Sequence, residues 1–235
     1  DSSPSRGLGD VYKRQGGRPR DMKFSLDNTL LYVVVSEENH IAVIDVESLK
    51  IINYIKSGDD PEIFDISPDG KLIAVSNEDD NEITIIDVKT QEKLATIENV
   101  GVEPEGVNFS KNGEFIYVTS EGTNSVVIIN TKTREIVNEI LVGNRPRRGL
   151  FIKDGNEYWV SNELSGSVTV IDTNNLKIIK NLYFSVKGIR DQNITPVDFA
   201  YSSKLDKIYV TLGSANHVAV VNGSNYNVEK YILAG

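Results

Sequence analysis

Between Gly101 and Ile140 the chain alternates apolar and polar residues in short runs, separated by Gly, Asn, Lys and Thr: GVEPEGVNFSKNGEFIYVTSEGTNSVVIINTKTREIVNEI. Runs rich in Val, Ile, Tyr and Phe between such breaks are the signature of strands. The spacing predicts strands over 106–110, 115–120, 126–131 and 135–140. Turns are predicted at 111–113, 122–124 and 132–133. Turns this short force neighbouring strands to run antiparallel.

The same pattern recurs along the chain. Pro19, Pro61, Pro104, Pro146 and Pro196 hold one phase, at spacings of 42, 43, 42 and 50 residues. Asp45, Asp87, Asn130, Asp172 and Asn222 close the third predicted strand of each unit. A four-stranded unit repeated at this period predicts an all-β fold, a β-propeller of antiparallel blades. The units expected are 17–57, 58–100, 101–142, 143–194 and 195–235, with about eight extra residues between Tyr183 and Thr195 in the fourth. Residues 1–16 lack the pattern and read as a non-native-looking or disordered tail. About five blades are present, and the pattern stops where a sixth would begin, so the chain is expected to be a fragment of a larger ring.

Composition narrows the function classes. The 235 residues carry a formal charge of −9, with no dominant basic patch, which argues against nucleic-acid binding. No apolar run is long enough for a membrane span. The chain has no cysteine, which excludes disulfides, thiolate metal sites and thioether haem attachment.

Strand order fixes where chemistry can sit. In a four-stranded meander the loop entering each blade and the loop between its second and third strands lie on one face, and the first strands line the channel. That mouth is predicted to gather Arg18, Arg20, Glu62, Glu103, Glu105, Arg145, Arg147 and Arg148. Loop residues Glu78, Asp79, Asp80, Glu121 and Glu163 join them, and Arg190 and Asp191 fall on the same side. Two roles compete for these charges. They form a mixed-charge recognition surface, since Arg offers planar bidentate contacts to carboxylates, or they pair with one another and hold the loops. No cofactor and no metal site is expected. Glu78–Asp79–Asp80 reads as a solvated acidic loop, and the two histidines, His40 and His217, as exposed loop residues. Asp45, Asp87 and Asp172 read as turn formers, because Asn stands in at 130 and 222 and could not serve as a base. Trp159 stands where Tyr32, Tyr117 and Tyr209 stand in other units, which points to packing between blades.

The segments SPDGKLIAVSN…ITIIDVKT and FIYVTSEGTNSVVIINTKT resemble the YVTN-type β-propeller repeat. GRPRDMKFS, DPEIFDISPDGK, NRPRRGLF and EYWVSNELSGSVTVID are similar to the β-propeller proteins associated with PQQ-dependent catabolism. The resemblance covers 17–235. It implies a seven-bladed ring, a periplasmic or secreted location, and a non-enzymatic accessory or binding role in quinoprotein alcohol oxidation. The implied partner is a quinoprotein dehydrogenase or another periplasmic protein, with room for a small ligand at the channel mouth. Two alternatives stand beside it: a lactonase-like propeller hydrolase, and a surface-layer or adhesion module. No nucleophile elbow, Walker loop or dinucleotide fingerprint accompanies the repeats.

Overall fold

Each hydrophobic repeat folds into one antiparallel sheet. The computed structural model describes residues 17–235, and the expectation for residues 1–16 lies outside the described residues. Blade 1 comprises β1 (Pro19–Phe24), β2 (Leu30–Val35), β3 (His40–Asp45) and β4 (Lys50–Lys56). Blade 2 comprises β5 (Pro61–Ile66), β6 (Leu72–Asn77), β7 (Glu82–Asp87) and β8 (Glu92–Glu98). Blade 3 has β9 (Pro104–Phe109), β10 (Phe115–Ser120), β11 (Ser125–Asn130) and β12 (Ile136–Leu141). Blade 4 has β13 (Pro146–Ile152), β14 (Glu157–Asn162), β15 (Ser167–Asp172) and β16 (Lys177–Tyr183). Blade 5 has β17 (Pro196–Ser202), β18 (Lys207–Leu212), β19 (His217–Asn222) and β20 (Val228–Leu233).

Strands in every sheet follow chain order. The first strands of successive blades touch, in the series β1, β5, β9, β13, β17. This is the arrangement of a partial β-propeller, with the fourth strands outermost. Side chains alternate across each sheet, so one set faces the next blade. The repeated aromatic position shows this. Tyr32 packs with Phe64 of blade 2, Tyr117 with Tyr158 and Phe151 of blade 4, and Trp159 with Ile208 and Val210 of blade 5. Fully burying an aliphatic or aromatic side chain of this kind contributes about 1.5–3 kcal/mol, so these layers hold the arc together.

The turns have local causes. Ser67, Ser110 and their neighbours close the loop between first and second strands. Gly70 and Gly113 sit at φ 72° and 74° and donate their N–H to the serine carbonyl at 2.8 Å. On the third strands Asp45, Asp87, Asn130, Asp172 and Asn222 accept backbone N–H bonds two or three residues on, at 2.7–3.1 Å. They form turns. The long segment after β16 carries a short 3-10 turn, Asp191–Asn193, and buries Phe184, Val186 and Ile194 between blades 4 and 5. Among the described residues no helix is long and apolar enough to cross a membrane.

A candidate binding site at the channel mouth

Every first strand carries a bulge in its pairing with the second, immediately after its proline. Two residues there oppose one, which bends the strand and re-aims side chains. The first bulge residue is Arg20, Glu62, Glu105, Arg147 or Val197 in blades 1 to 5.

A hydroxyl fixes the bulge in four blades. Ile63 N–H donates to Ser76 Oγ at 3.1 Å, Gly106 N–H to Thr119 Oγ1 at 2.8 Å, Arg148 N–H to Ser161 Oγ at 3.1 Å, and Asp198 N–H to Thr211 Oγ1 at 2.9 Å. Three of these hydroxyls then donate to the bulge carbonyl of the following blade. Ser76 reaches Glu105 O at 2.6 Å, Thr119 reaches Arg147 O at 2.7 Å and Ser161 reaches Val197 O at 2.8 Å. One short side chain thus positions two mouth residues on adjacent blades. In blade 1 the corresponding residue is Val34, and Ser36 instead bonds Pro61 O at 3.0 Å.

The two loops of the mouth are tied by backbone bonds. Glu78 N–H donates to Asp60 O at 2.9 Å, Glu121 N–H to Glu103 O at 2.8 Å, and Glu163 N–H to Arg145 O at 2.9 Å. Arg18, Asp60, Glu103 and Arg145, each just before its proline, are left-handed at φ 56°, 48°, 54° and 55°. Non-glycine residues reach that region only where their surroundings impose it.

The charges pair between blades. Arg18 contacts Asp60 at 3.2 Å and Glu62 at 3.4 Å. Arg20 pairs with Glu62 and lies 4.0 Å from Glu105. Arg147 bonds Glu105 at 2.9 Å and approaches Glu121 at 3.3 Å and Glu163 at 3.2 Å. Arg145 bonds Glu121 at 2.6 Å and lies 3.5 Å from Glu163. The structure therefore brings together Arg18, Arg20, Glu62, Glu105, Glu121, Arg147 and Glu163. Glu78 and Glu103 flank them: ligand oxygens of Asp60, Glu62 and Glu78, and of Glu78, Glu103 and Glu121, lie within 4.8 Å of one another. Arg148 forms no ion pair among the described residues, although its charge acts on Asp21. Arg190 and Asp191 are exposed and stand outside the network.

Burial sets the electrostatics. Glu62 and Glu105 are 0% and 1% exposed. Burial first, and the like charge of Glu105 second, push the Glu62 carboxyl up to about 7, with Arg20 opposing. Burial also raises Glu121, against the pull of Arg145 and Arg147. Glu78 is raised by burial and by the charges of Glu105, Glu121 and Asp60.

Sequence reasoning missed Asp60 and the hydroxyl clamps. The clamps had a visible signal, a Ser or Thr at one repeated second-strand position. Asp80 is not merely solvated, since its carboxylate accepts the Asp59 N–H at 2.7 Å. The histidines are not exposed loop residues: both begin third strands and are half-buried, with Nδ1 3.1 Å from Glu38 O in His40 and 2.6 Å from Ala215 O in His217. Trp159 is core, and its Nε1–H donates to the buried Glu157 at 3.0 Å.

Residues 8–139 match the family model described as "Lactonase, 7-bladed beta-propeller". Two solved structures share the fold. One is a functionally unknown protein from Desulfotomaculum acetoxidans, at TM-score 0.78 and 19% identity over 94% of this chain and 74% of that one. The other is hydrazine synthase of Kuenenia stuttgartiensis, at TM-score 0.70 and 17% identity over 87% of this chain and 76% of that one. Comparison with curated proteins gives no match.

Proposed function

The chain belongs to the lactonase, 7-bladed β-propeller family, and from that premise we propose that it acts by binding, with the charged channel mouth as its recognition surface. The observation that carries this reading is the commitment of the guanidinium groups. Arg18, Arg20, Arg145 and Arg147 all pair with carboxylates of the mouth, most of them on the neighbouring blade. The deep carboxylates are closed off, while the outer arginines Arg18 and Arg145 keep 44% and 42% of their side chains exposed. Such a rim is preorganised for a charged partner and steers its approach. The resemblance to propellers of PQQ-dependent catabolism supports a quinoprotein dehydrogenase as that partner, and with it a periplasmic setting. Titrating a purified quinoprotein dehydrogenase with the wild-type chain and with Arg18→Glu plus Arg145→Glu tests the reading. A loss of affinity of about tenfold or more is expected, and equal binding by the variant would refute it.

Lactone hydrolysis is the second reading, and Glu62 is the observation that favours it. A carboxyl near 7 has the proton affinity a general base needs at neutral pH, and Arg20 beside it would steady developing negative charge, but Glu62 is 0% exposed, so this reading requires a substrate to part the Arg20 pair. The family name points the same way. A panel of lactones assayed with wild type and Glu62→Gln decides it: turnover lost in the variant supports hydrolysis, and no turnover by wild type removes it.

A further inference from the structure

On the face opposite the charged mouth, a cavity of about 400 Å³ opens between blades 3 and 4. Lys111, Phe115, Asp154, Asn156, Thr173 and Asn174 stand around it, on the first turns of both blades and the last turn of blade 4. Its volume falls within the ~300–1,000 Å³ of small-molecule sites. Tyr117, 1% exposed, forms its floor.

The repeat explains why this junction is open. Two apolar positions seal the corresponding junction of blades 1 and 2. Leu26 lies over Gly70, where an added Cβ would meet it at 2.7 Å, and Val88 packs against the core that holds Tyr32. In blades 3 and 4 those positions are Lys111 and Thr173, so polar groups with space between them replace the seal.

A second observation points to a ligand. The Tyr117 hydroxyl makes no hydrogen bond among the described residues, whereas the neighbouring Tyr158 hydroxyl donates to Asn108 at 3.0 Å. Tyr32 also lacks a partner, but its hydroxyl is sealed from contact, while that of Tyr117 stays open to the cavity. Burial, and second the charge of Asp172 in blade 4, push the Tyr117 phenol up to about 12, so it remains a neutral donor. A buried hydroxyl without a partner is costly, and one on a cavity wall is completed by what occupies the cavity. We propose that this cavity binds a small uncharged polyol, with the Tyr117 hydroxyl as its hydrogen-bonding anchor.

The lining selects that chemistry. Its charges are committed: Lys111 Nζ pairs with Asp154 at 2.6 Å, and Glu114 Oε2 accepts from Asn112 Nδ2 at 2.6 Å. Neutral groups remain for a ligand, namely the Tyr117 hydroxyl, the Asn174 carboxamide and Thr173 Oγ1, whose proton goes to Gly155 O at 2.7 Å. They include both donors and acceptors, and each hydroxyl of a polyol is also both. Half-buried Phe115 offers apolar surface to the carbon skeleton. The site shares no residue with the mouth, so the proposal goes beyond the binding reading and stands independently of it.

Saturation-transfer NMR titrations of sorbitol and myo-inositol test the site, with gluconate as the charged analogue of sorbitol. Wild type is expected to bind at least one of the two polyols saturably, and in preference to gluconate. Tyr117→Phe breaks no hydrogen bond among the described residues and keeps its ring against Phe151 and Tyr158, so it folds. Its affinity should fall by about fivefold to tenfold. Asn174→Ala, at an exposed turn position, should weaken binding in the same direction. Tyr32→Phe removes the sealed hydroxyl and should bind as wild type does. No saturable binding of either polyol, tighter binding of gluconate, undiminished binding by Tyr117→Phe, or an equal loss in Tyr32→Phe would overturn the proposal.

Discussion

Arg147 of blade 4 donates from Nη2 to Glu105 Oε1 of blade 3 at 2.9 Å, and Glu105 is 1% exposed. Cutting this pair from one side strands a buried charge, which costs about 3–5 kcal/mol. Arg147→Met is therefore expected to lower the midpoint of urea unfolding strongly. Replacing both partners, Arg147→Met with Glu105→Met, removes the orphan and should recover much of the loss. A double variant no more stable than the single one would mean that Arg147 acts mainly through Glu121 and Glu163.

The hydroxyl clamp gives a sharper test. Thr119 accepts from Gly106 N–H and donates to Arg147 O, so Thr119→Val leaves two buried backbone groups unsatisfied at nearly unchanged volume. A cost of about 1–3 kcal/mol per group is expected. Thr119→Ser keeps the oxygen and should retain most of the stability. Thermal melting of the two variants beside wild type makes the comparison.

Gly106 shows why the bulge is intolerant. A Cβ at this position would stand 2.4 Å from Arg147 O and 2.7 Å from Thr119 Oγ1. Gly106→Ala must push blade 4 away or break the clamp, and should cost at least about 1–3 kcal/mol. Gly188, with nothing within 4 Å of its added Cβ, is left-handed at φ 86°, so Gly188→Ala is strained only locally and should destabilise less.

How far the chain announces this structure depends on the range of the interaction. Strand and turn positions are set within a few residues, and the predicted spans fall close to those found: 115–120 is β10, and 126–131 overlaps β11 (Ser125–Asn130). The first strand was expected at 106, yet β9 begins at Pro104, because pairing resumes on the far side of the bulge. The bulge breaks the period-two pattern and hides itself. The ion pairs were legible as a gathering of charge but not as partners, since Arg20 and Glu62 lie 42 residues apart. The Ser or Thr repeated on the second strands is legible as a position, but its partners are not. For Ser76, Thr119 and Ser161 the nearest acceptor belongs to the next blade, so no single repeat contains both partners.

The buried carboxyl of Glu62 gives the protein a pH dependence of a particular sign. In the unfolded chain it titrates near 4.5, while in the folded chain burial and Glu105 hold it at about 7. Between those values the folded state binds the extra proton, so stability must fall as pH rises through that window. The contribution is complete below about 4.5 and gone above about 7, and its size is on the order of 3 kcal/mol. Acid-side losses come from other groups, such as Asp69, held at about 2 by Lys71 and Ser67, whose contribution disappears only as pH falls through that value. Glu62→Gln carries a permanently neutral side chain of the same shape and should flatten the profile between pH 5 and 7. Urea midpoints measured across that interval would show a slope in wild type that is absent from the variant. A wild-type midpoint that instead climbs steadily from pH 5 to 7, in parallel with the variant, would show that Arg20 and Arg18 keep Glu62 ionised.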